Sequence, residues 1–283
     1  YCYARTSHEY LGFGAGTDFE TRIVVKTNAP KLLARRFASR GWRGELVNFS
    51  GVTDCYQPIE AVYELTRRCL ETCLEWSNPA SVVTKSYLVV RDADLLAEIQ
   101  SRCGGRTFIS IPFADDETAR KIEPHAPPPS RRFDAIERLA AAGVPVGVMV
   151  APIIPGLNDR DVPAVLQRAA DCGAKAAGYM ALRLPGNVEP VFLSRLRNEL
   201  PLRADRVVNR IREIRGGRMD ETRFGKRMRG EGAYWDSVRQ LFELSRKRYG
   251  LDTARDETAA PPRSVATQPA DADQAVQLPL FPA

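Results

Sequence analysis

Histidine is nearly absent from this chain, whose 283 residues include only His8 and His125. So few imidazoles argue against a His-rich metal site. Long apolar runs are also missing: no stretch approaches the roughly 18–20 residues that a membrane-spanning helix needs, so we expect no contact with a membrane. Six cysteines are present, but they are spread without the spacing of a disulfide framework. That pattern favours metal binding or catalysis in a reducing cytoplasm over structural bridges.

The composition suits one large α/β domain or two small ones, with 44% hydrophobic residues to build a core. The net charge is +6, and it is unevenly distributed. Residues 203–229 hold ten Arg and Lys against four Asp and Glu, an excess of 10 − 4 = +6. Such a stretch could follow the phosphate backbone of DNA, or it could be a solvated, Arg-rich helical face.

Short β-rich runs alternate with amphipathic helical patterns along most of the chain. Six strands with a helix after each predict a parallel sheet with right-handed crossovers. Six units are too few for a closed eight-stranded barrel, so we expect an α/β fold of the open, partial (β/α)6 barrel type, with its active site at the C-terminal ends of the strands. The predicted strands are 22–26, 45–50, 81–85, 106–112, 144–151 and 176–183, and the helices between them are 29–40, 58–76, 92–102, 131–142 and 161–172.

A helical extension of roughly 188–250 completes the predicted domain, 1–250, with helices at 188–199, 204–215 and 231–249. The remaining residues, 251–283, are rich in Ala, Pro, Asp and Thr and carry two Arg against five Asp and Glu, a net charge of −3. Within it, residues 252–276 have almost no large apolar residues, so they cannot offset the entropy of ordering. We therefore predict that this tail is disordered.

An apolar cluster, Gln277-Leu278-Pro279-Leu280-Phe281, ends the tail. A short motif on a flexible tether is a common recognition device, because it folds into a groove on binding. The pentapeptide resembles the Q-L-x-L-F motif by which bacterial replication and repair proteins dock on the DNA sliding clamp. Gln277, Leu278, Leu280 and Phe281 are then the clamp contacts; an inert or self-packing tail is the alternative.

The first five residues, Tyr1-Cys2-Tyr3-Ala4-Arg5, place a cysteine between two aromatic residues. They resemble the end of a C-x3-C-x-aromatic-C loop, in which three thiolates bind three irons of a [4Fe–4S] cluster. In that case Cys2 is the third ligand and the first two cysteines precede Tyr1. A chain that carries one ligand of three is expected to be inactive by itself. The alternative is that Cys2 is an ordinary thiol.

A turn of small residues follows the second predicted strand, in the sequence Ser50-Gly51-Val52-Thr53-Asp54. Small residues at the C-terminal end of a strand let the backbone approach a ligand closely. Thr53 and Asp54 offer polar groups that could bind an ammonium or a hydroxyl group. Many strand-to-helix turns look alike, so a plain structural turn is the alternative.

Three later strand ends carry further candidates. Lys85 ends the third strand and is a natural partner of a carboxylate, as a point charge. Ser110 alternates with its apolar neighbours, which places it in the barrel lumen or makes it a small strand residue. The apolar segment 150–153, with Val150 and Ile153, could pack on a flat ring such as adenine, or it could form a rigid loop before the next helix.

The remaining cysteines give one candidate. Cys55 follows Asp54 in the loop and could donate a hydrogen atom to a radical, because a thiol S–H bond is weak; a passive loop thiol is the alternative. Cys69 and Cys73 form a second C-x3-C, but Trp76 stands where a third cysteine would complete the loop. Two cysteines four residues apart on one apolar helix face are predicted to be core residues.

Together these segments resemble the radical S-adenosylmethionine (SAM) superfamily. More closely, they resemble its bacterial branch described as spore-photoproduct-lyase-like, or DNA-repair-photolyase-like. The resemblance covers roughly residues 1–250 and is specific for the superfamily rather than for a substrate. The matching stretches are 1–5 with 8–12, 18–20, 48–58, 84–86, 145–148, 155–159, 223–225 and 227–230.

The resemblance implies a role for each candidate. Cys2 is the third cluster thiolate, and Tyr1 lies against the adenine of SAM. The loop 50–54 lies where the superfamily binds the SAM amino group, and Lys85 and Ser110 match positions that contact its carboxylate or ribose in the spore lyase. The segment 150–153 is expected beside adenine, and flavodoxin or ferredoxin is expected to supply the electron.

The sequence departs from the lyase pattern at the hydrogen donor. The spore lyase carries a cysteine in the loop after its second strand, whereas the nearest counterpart here is close to Val52, and Cys55 is offset by three residues. The resemblance therefore predicts radical SAM chemistry but not the lyase reaction. DNA is the expected substrate, and a peptide, an RNA or a small metabolite is the alternative. A function of a different class also fits the sequence: a non-catalytic adaptor that binds DNA and the sliding clamp.

Overall fold

A computed structural model describes residues 1–223 and 226–253 of the protein. One six-stranded sheet organises the fold, with all strands parallel and in sequential order from β1 to β6. The predicted α/β class and partial (β/α)6 barrel are confirmed. The strands are β1 (Val47–Phe49), β2 (Ala80–Thr84), β3 (Thr107–Ser110), β4 (Val146–Ile153), β5 (Ala176–Ala181) and β6 (Asp252–Thr253).

Helices connect successive strands, as expected for parallel pairing. Short 3-10 turns lie at Tyr3–Arg5, Tyr87–Asp92 and Asp159–Asp161. Within the described residues, no helix combines the length and the apolar character needed to cross a membrane. The helices are α1 (Thr6–Glu9), α2 (Thr17–Thr21), α3 (Ala29–Phe37), α4 (Glu60–Tyr63), α5 (Leu65–Glu75), α6 (Ala93–Arg102), α7 (Asp116–Ile122), α8 (Pro129–Ala141), α9 (Val162–Asp171), α10 (Val188–Glu199), α11 (Pro201–Ile214) and α12 (Ala233–Arg248).

The first predicted strand, 22–26, was wrong. Its backbone pairs with no strand, and Ile23 and Val24 are about half exposed. β-branched residues favour an extended backbone, but a strand also needs a neighbour to pair with and a surface to pack on. The other five predicted strands are confirmed by β1 to β5.

The sixth strand comes instead from the segment predicted as a disordered tail. Leu251 is buried, and β6 pairs with the start of β5, where Asp252 N–H donates to Lys175 O over 2.8 Å. The ordered chain therefore extends past residue 250, the predicted domain boundary. The rest of the tail, with its clamp-like motif, lies outside the described residues.

The core lies between the outer face of the sheet and helices α5, α6, α8, α9 and α12. Alternate strand residues point into it, because successive side chains of a strand face opposite sides. Val82, Ile109 and Val148 thus meet helix residues such as Leu70 and Ile136. A second cluster, which includes Leu182, Leu184, Phe192 and Val207, fixes α10 and α11 beside the strand ends.

Side chains fill the inner face of the sheet around Phe108 and Gly147. Phe108 packs on Gly147, where an added Cβ would lie 2.5 Å from the Phe108 ring and 2.9 Å from Ala176 O. Glycine is needed here for close approach. Aromatic packing therefore fills the inner face at this level of the sheet.

Candidate functional site

The N-terminal segment lies across the C-terminal ends of the strands. Tyr3 Oη donates to Gly51 O in the loop after β1 (3.2 Å), and Lys85 Nζ, just after β2, lies 5.4 Å from the centre of the Tyr1 ring. Cys2, between the two tyrosines, is partly exposed. Tyr1, Cys2, Gly51 and Lys85 are thus brought together from three separate parts of the sequence.

The loop after β1 is held in an uncommon conformation at Ser50. This residue has a φ of +79°, in the left-handed region, which costs a non-glycine residue roughly 1–2 kcal/mol. Hydrogen bonds offset that cost: Ser50 Oγ accepts from Cys55 N–H (2.9 Å), and Cys55 O accepts from Thr66 Oγ1 (2.6 Å). Gly51 therefore lies in a fixed turn that contacts the N-terminal segment through Tyr3, and Thr53 in the same turn is partly exposed.

The Asp54 carboxylate accepts three hydrogen bonds from other groups of the protein. Its Oδ1 accepts from Thr84 Oγ1 (2.6 Å) and from Tyr56 N–H (2.9 Å), and its Oδ2 accepts from Lys85 N–H (2.8 Å). The carboxylate therefore joins the loop after β1 to the end of β2. The contact of Asp54 with an ammonium or a hydroxyl group of a ligand stays a prediction.

Lys85 is the cation of the site. Its side chain is 28% exposed, and its Nζ lies 3.7 Å from Glu123 Oε1. Burial, followed by the nearby positive charge of Arg132, lowers the pKa of Lys85 to about 8. A partly dehydrated ammonium group of this kind favours a carboxylate or phosphate oxygen as its ligand.

Glu123 and Arg132 form a buried ion pair behind Lys85. Arg132 is fully buried and donates from Nη2 to Glu123 Oε2, from Nη1 to Ser110 O (2.9 Å) and from Nε to Pro127 O (2.7 Å). Glu123 Oε1 is buried and has no hydrogen-bond partner, and burial raises the pKa of Glu123 while Arg132 opposes that effect. The pair connects α7 and α8 to the end of β3.

Neither Glu123 nor Arg132 is among the sequence-based candidates, although the sequence around Arg132 carries a signal. Arg132 shares a helix face with Ala135, Ile136 and Leu139, all fully buried, at spacings of three, four and seven residues. A charged residue on an apolar stripe is a candidate for a buried ion pair. Glu123 follows the end of α7 and shows no comparable pattern.

Ser110 lies on the inner face, and its Oγ donates to Ala151 O at the end of β4 (3.0 Å). The segment 150–153 differs from expectation. Val150 and Ile153 have no exposed area and lie in the core, whereas Met149 and Ala151 on the inner face are partly exposed. A ring packed on this segment would therefore meet its backbone and these two side chains rather than Val150 and Ile153.

The other cysteines lie apart from Cys2. Burial, then the charge of Asp54, raises the pKa of the Cys55 thiol, so it keeps the S–H bond that a hydrogen donor needs. Its role as a donor stays a prediction. Cys69 and Cys73 are buried in α5, as predicted, and burial raises the pKa of Cys69 to about 11 and that of Cys73 to about 12.

The residues present do not by themselves fit an iron–sulfur cluster. In the described part of the chain, no three His, Cys, Asp or Glu side chains converge in a way that could hold a metal ion. Cys2 supplies one thiol, whereas a [4Fe–4S] cluster is usually held by several thiolates. The residues do suit the polar part of a SAM-sized ligand, because Lys85 is a partly buried cation that pairs only loosely, over 3.7 Å, with a Glu123 oxygen that has no hydrogen-bond partner.

The basic stretch, 203–229, is divided between structural and exposed side chains. Arg215 is buried and donates to three backbone carbonyls, those of Leu182, Arg227 and Arg229. Others form ion pairs with Glu213, Glu221 and Glu231. Arg203, Arg206 and Arg212 are exposed along α11.

A model of the radical SAM superfamily matches residues 1–169. An uncharacterized protein of Mycobacterium tuberculosis is 35% identical over 216 residues, which are 76% of this chain and 62% of that relative. An uncharacterized protein of Methanocaldococcus jannaschii is 33% identical over 159 residues, 56% of this chain and 57% of the relative. The chain thus spans about three fifths of the length of these relatives.

Two solved structures of spore photoproduct lyase are similar to this fold. One is a mutant with bound AdoMet and dinucleoside spore photoproduct, and the other is the lyase complexed with dinucleoside spore photoproduct. Each has a TM-score of 0.54 and 17% sequence identity, over 89% of this chain and 71% of the lyase. At this identity the likeness shows a shared fold.

Proposed function

This chain belongs to the radical SAM superfamily, and we propose that it forms the catalytic core of a radical SAM enzyme. The observation that carries the proposal is the position of Cys2 within the segment that crosses the strand ends, between the Gly51 turn and Lys85. In this family such a thiol is a cluster ligand, and the cluster with bound SAM supplies a 5′-deoxyadenosyl radical. The proposal requires cluster ligands in addition to Cys2, because a [4Fe–4S] cluster is usually held by several thiolates.

The chain's own residues bind and orient SAM in this proposal. Lys85 contacts the SAM carboxylate, and the turn at Ser50, Gly51 and Thr53 lies at its amino group. Ser110 and the backbone of 150–153 face the ribose and adenine. Tyr1 closes the site from above, because its ring lies over Lys85 and its hydroxyl is buried. Low water access protects a reactive radical from side reactions.

The direct test uses the full-length protein, reconstituted anaerobically with iron and sulfide and given dithionite and SAM. Formation of 5′-deoxyadenosine supports the proposal. A well-folded protein that takes up no cluster and forms no product would favour the adaptor function. If the product forms at the same rate with and without DNA, a peptide, an RNA or a small metabolite becomes the better substrate.

Lys85→Met is expected to weaken SAM binding roughly 10- to 100-fold, since a hydrogen bond to a charged group is worth about 1.5–3 kcal/mol. Methionine has an unbranched side chain that is one atom shorter than that of lysine and carries no charge. Titration calorimetry of the full-length protein measures the affinity, with Lys121→Met on α7, whose amine makes a surface ion pair with Glu117, as the matched control.

Decarboxylated SAM identifies the contact. The unchanged protein should prefer SAM over the decarboxylated analogue, and this preference should shrink in Lys85→Met. An undiminished preference would show that Lys85 does not contact the carboxylate.

We further propose that the substrate is DNA. Exposed arginines of α11 support this proposal, as does the dinucleoside ligand of the structurally similar lyase. Reversing the charge at Arg203, Arg206 and Arg212 together should abolish the gel shift of a DNA duplex and flatten its salt dependence. If the triple variant still bound DNA, this face of α11 would not be the DNA-binding surface. Arg215 is left unchanged because it is structural.

The proposed partners follow from the same function. Flavodoxin or ferredoxin is the proposed electron donor, in a reducing cytoplasm. The sliding clamp is the proposed partner of Gln277, Leu278, Leu280 and Phe281, which lie beyond the described residues. Loss of clamp binding on replacing Leu280 and Phe281 by alanine would support that contact.

A further inference from the structure

Helix α3 and the segments on either side of it carry charge of a single sign. Residues 21–44 contain seven Arg and Lys and no Asp or Glu. Arg22 forms an ion pair with Asp18 over 3.3 Å, so its charge is compensated. The other six are exposed, and within the described residues none of them forms an ion pair. These six, which we call the α3 basic surface, are Lys26, Lys31, Arg35, Arg36, Arg40 and Arg43.

The helix places three of these side chains next to each other in solvent. Phe37 is buried and fixes α3 against the core. Lys31 and Arg35 lie four residues apart on the exposed side, and residues at this spacing are neighbours on a helix surface. Arg36 follows Arg35 and is also exposed. The solvent side of α3 is therefore positively charged over its last two turns.

The turn after α3 keeps the remaining arginines close to the end of the helix. Arg43 Nη1 donates to Arg40 O (3.4 Å). The guanidinium carbon of Arg36 lies 5.3 Å from the centre of the Trp42 ring, and this stacking holds the Arg36 side chain in place. The backbone N–H of Arg43 donates to Glu45 Oε2 (2.8 Å) and lowers the pKa of Glu45, and the charges of Arg36 and Arg43 lower it further. Arg36, Arg40 and Arg43 thus surround the end of α3.

The α3 basic surface keeps an excess of positive charge when the carboxylates around it are counted. Glu45 is the first that follows it in the chain. Helix α5, which packs on α3, adds two more: Glu71 pairs with Arg67 over 3.4 Å, whereas Glu75 is exposed and forms no ion pair within the described residues. Six cations against Glu45 and Glu75 leave 6 − 2 = +4, and the exposed Arg68 of α5 adds to this excess. Such a local excess attracts a polyanion.

The α3 basic surface extends from the N-terminal segment toward the opposite end of the sheet. His8 Nε2 lies 2.9 Å from Arg22 O, so the stretch begins beside the N-terminal segment. At its far end, Trp42 Nε1 donates to Asn78 Oδ1 (2.7 Å) just before β2, whereas Lys85 follows the other end of β2. A polyanion bound along this surface would therefore lead away from the candidate site.

We propose that the α3 basic surface binds the phosphate backbone of single-stranded DNA. Arginine suits phosphate oxygens because its guanidinium group donates paired, charge-assisted hydrogen bonds. The turn 40–44, Arg-Gly-Trp-Arg-Gly, adds two Arg-Gly pairs around an aromatic residue, a composition found in segments that bind single strands. The space where a Cβ would lie is open at Gly41 and Gly44, so a strand can approach the backbone closely there. One row of cations along one helix matches one backbone, which favours a single strand over a duplex.

The probe that tests this surface is a fluorescently labelled thymidine 12-mer, bound to the full-length protein without SAM or reductant. Replacing Arg35 and Arg40 together by glutamine should weaken binding at least about 5-fold and reduce the slope of log K against log salt concentration by about 1.4, since each phosphate contact with a single strand contributes about 0.7. The double lysine variant should keep the slope and part of the affinity. Replacing Lys247 and Arg248 by glutamine, at the exposed end of α12, makes the same change of net charge elsewhere and should alter neither quantity.

Two further ligands test the chemistry of the contact. A methylphosphonate 12-mer, which lacks the negative charges, should bind weakly and equally to the unchanged protein and to the double glutamine variant. Polyglutamate of the same charge should compete poorly. If it competed as well as the thymidine 12-mer, the DNA assignment would be overturned in favour of an acidic protein partner. Equal affinity and equal slope for the unchanged protein and the double glutamine variant would overturn the proposal itself.

Failure of this proposal is distinguishable from failure of the proposed function. The surface rests on that function only for its role, which is to hold the strand that flanks a DNA substrate. Both replaced arginines are exposed and unpaired within the described residues, so thermal unfolding of the glutamine variant should be unchanged, as should its formation of 5′-deoxyadenosine without DNA. If the unchanged protein forms no 5′-deoxyadenosine but strand binding still depends on Arg35 and Arg40, only the enzymatic proposal fails.

Discussion

Replacing Cys2 by alanine is expected to abolish formation of 5′-deoxyadenosine in the full-length protein. The proposed cluster loses one of its ligands, so the iron content and the absorbance of the reconstituted protein should fall with the product. The fold should be retained, because Cys2 is partly exposed and substitutions at such positions usually change the free energy of unfolding by less than about 0.5 kcal/mol.

Cys172→Ala is the matched control for this experiment. Cys172 is also a partly exposed thiol, but it follows α9, away from the segment that crosses the strand ends. Its loss should change neither iron content nor product. If the Cys2 variant kept its cluster and its product, Cys2 would be an ordinary thiol, and the proposed function would lose the observation that carries it.

Arg132→Met is expected to lower the free energy of unfolding by about 3–5 kcal/mol, the usual cost of removing one partner of a buried ion pair. Arg132 is fully buried, and its loss leaves the Glu123 carboxylate without its main partner and the carbonyls of Ser110 and Pro127 without donors. Urea denaturation followed by circular dichroism measures the change.

Two further variants test the cause of this loss. Arg138→Met lies on the same helix, at an exposed arginine that pairs with Asp134 over 3.6 Å, and should cost less than about 1 kcal/mol. Adding Glu123→Gln to Arg132→Met should recover part of the stability, since it removes the uncompensated charge. If the double variant were as unstable as the sum of the single ones, the ion pair would not be the source of the effect.

The local pattern of apolar and polar residues in the sequence predicted most of the fold. The alternation of β-rich runs with amphipathic segments predicted five strands of the sheet, the helices between them and the helices that follow. Such patterns are informative because burial of one face acts residue by residue along a helix or strand. The resemblance placed Cys2, Gly51 and Lys85 in one site, and the structure brings these three residues together.

The local sequence pattern did not predict which distant segments pair as strands. Residues 22–26 have strand-like composition but no neighbouring strand, whereas β6, of two residues, forms because Leu251 is buried and β5 offers a free edge. The register of β4 determines which face of the sheet each of its side chains occupies. Val150 faces the core and Met149 faces the inner side, and a shift of one residue would exchange these faces.

The sequence by itself determined the partial barrel, the candidate thiol and the loops that surround it, because these depend on composition and short spacing. Only the tertiary structure decided which charges meet. Lys85 meets Glu123, and Glu123 meets Arg132, across separations that no periodicity encodes. Burial makes these contacts strong, because a charge removed from water depends on the partners that the fold places beside it.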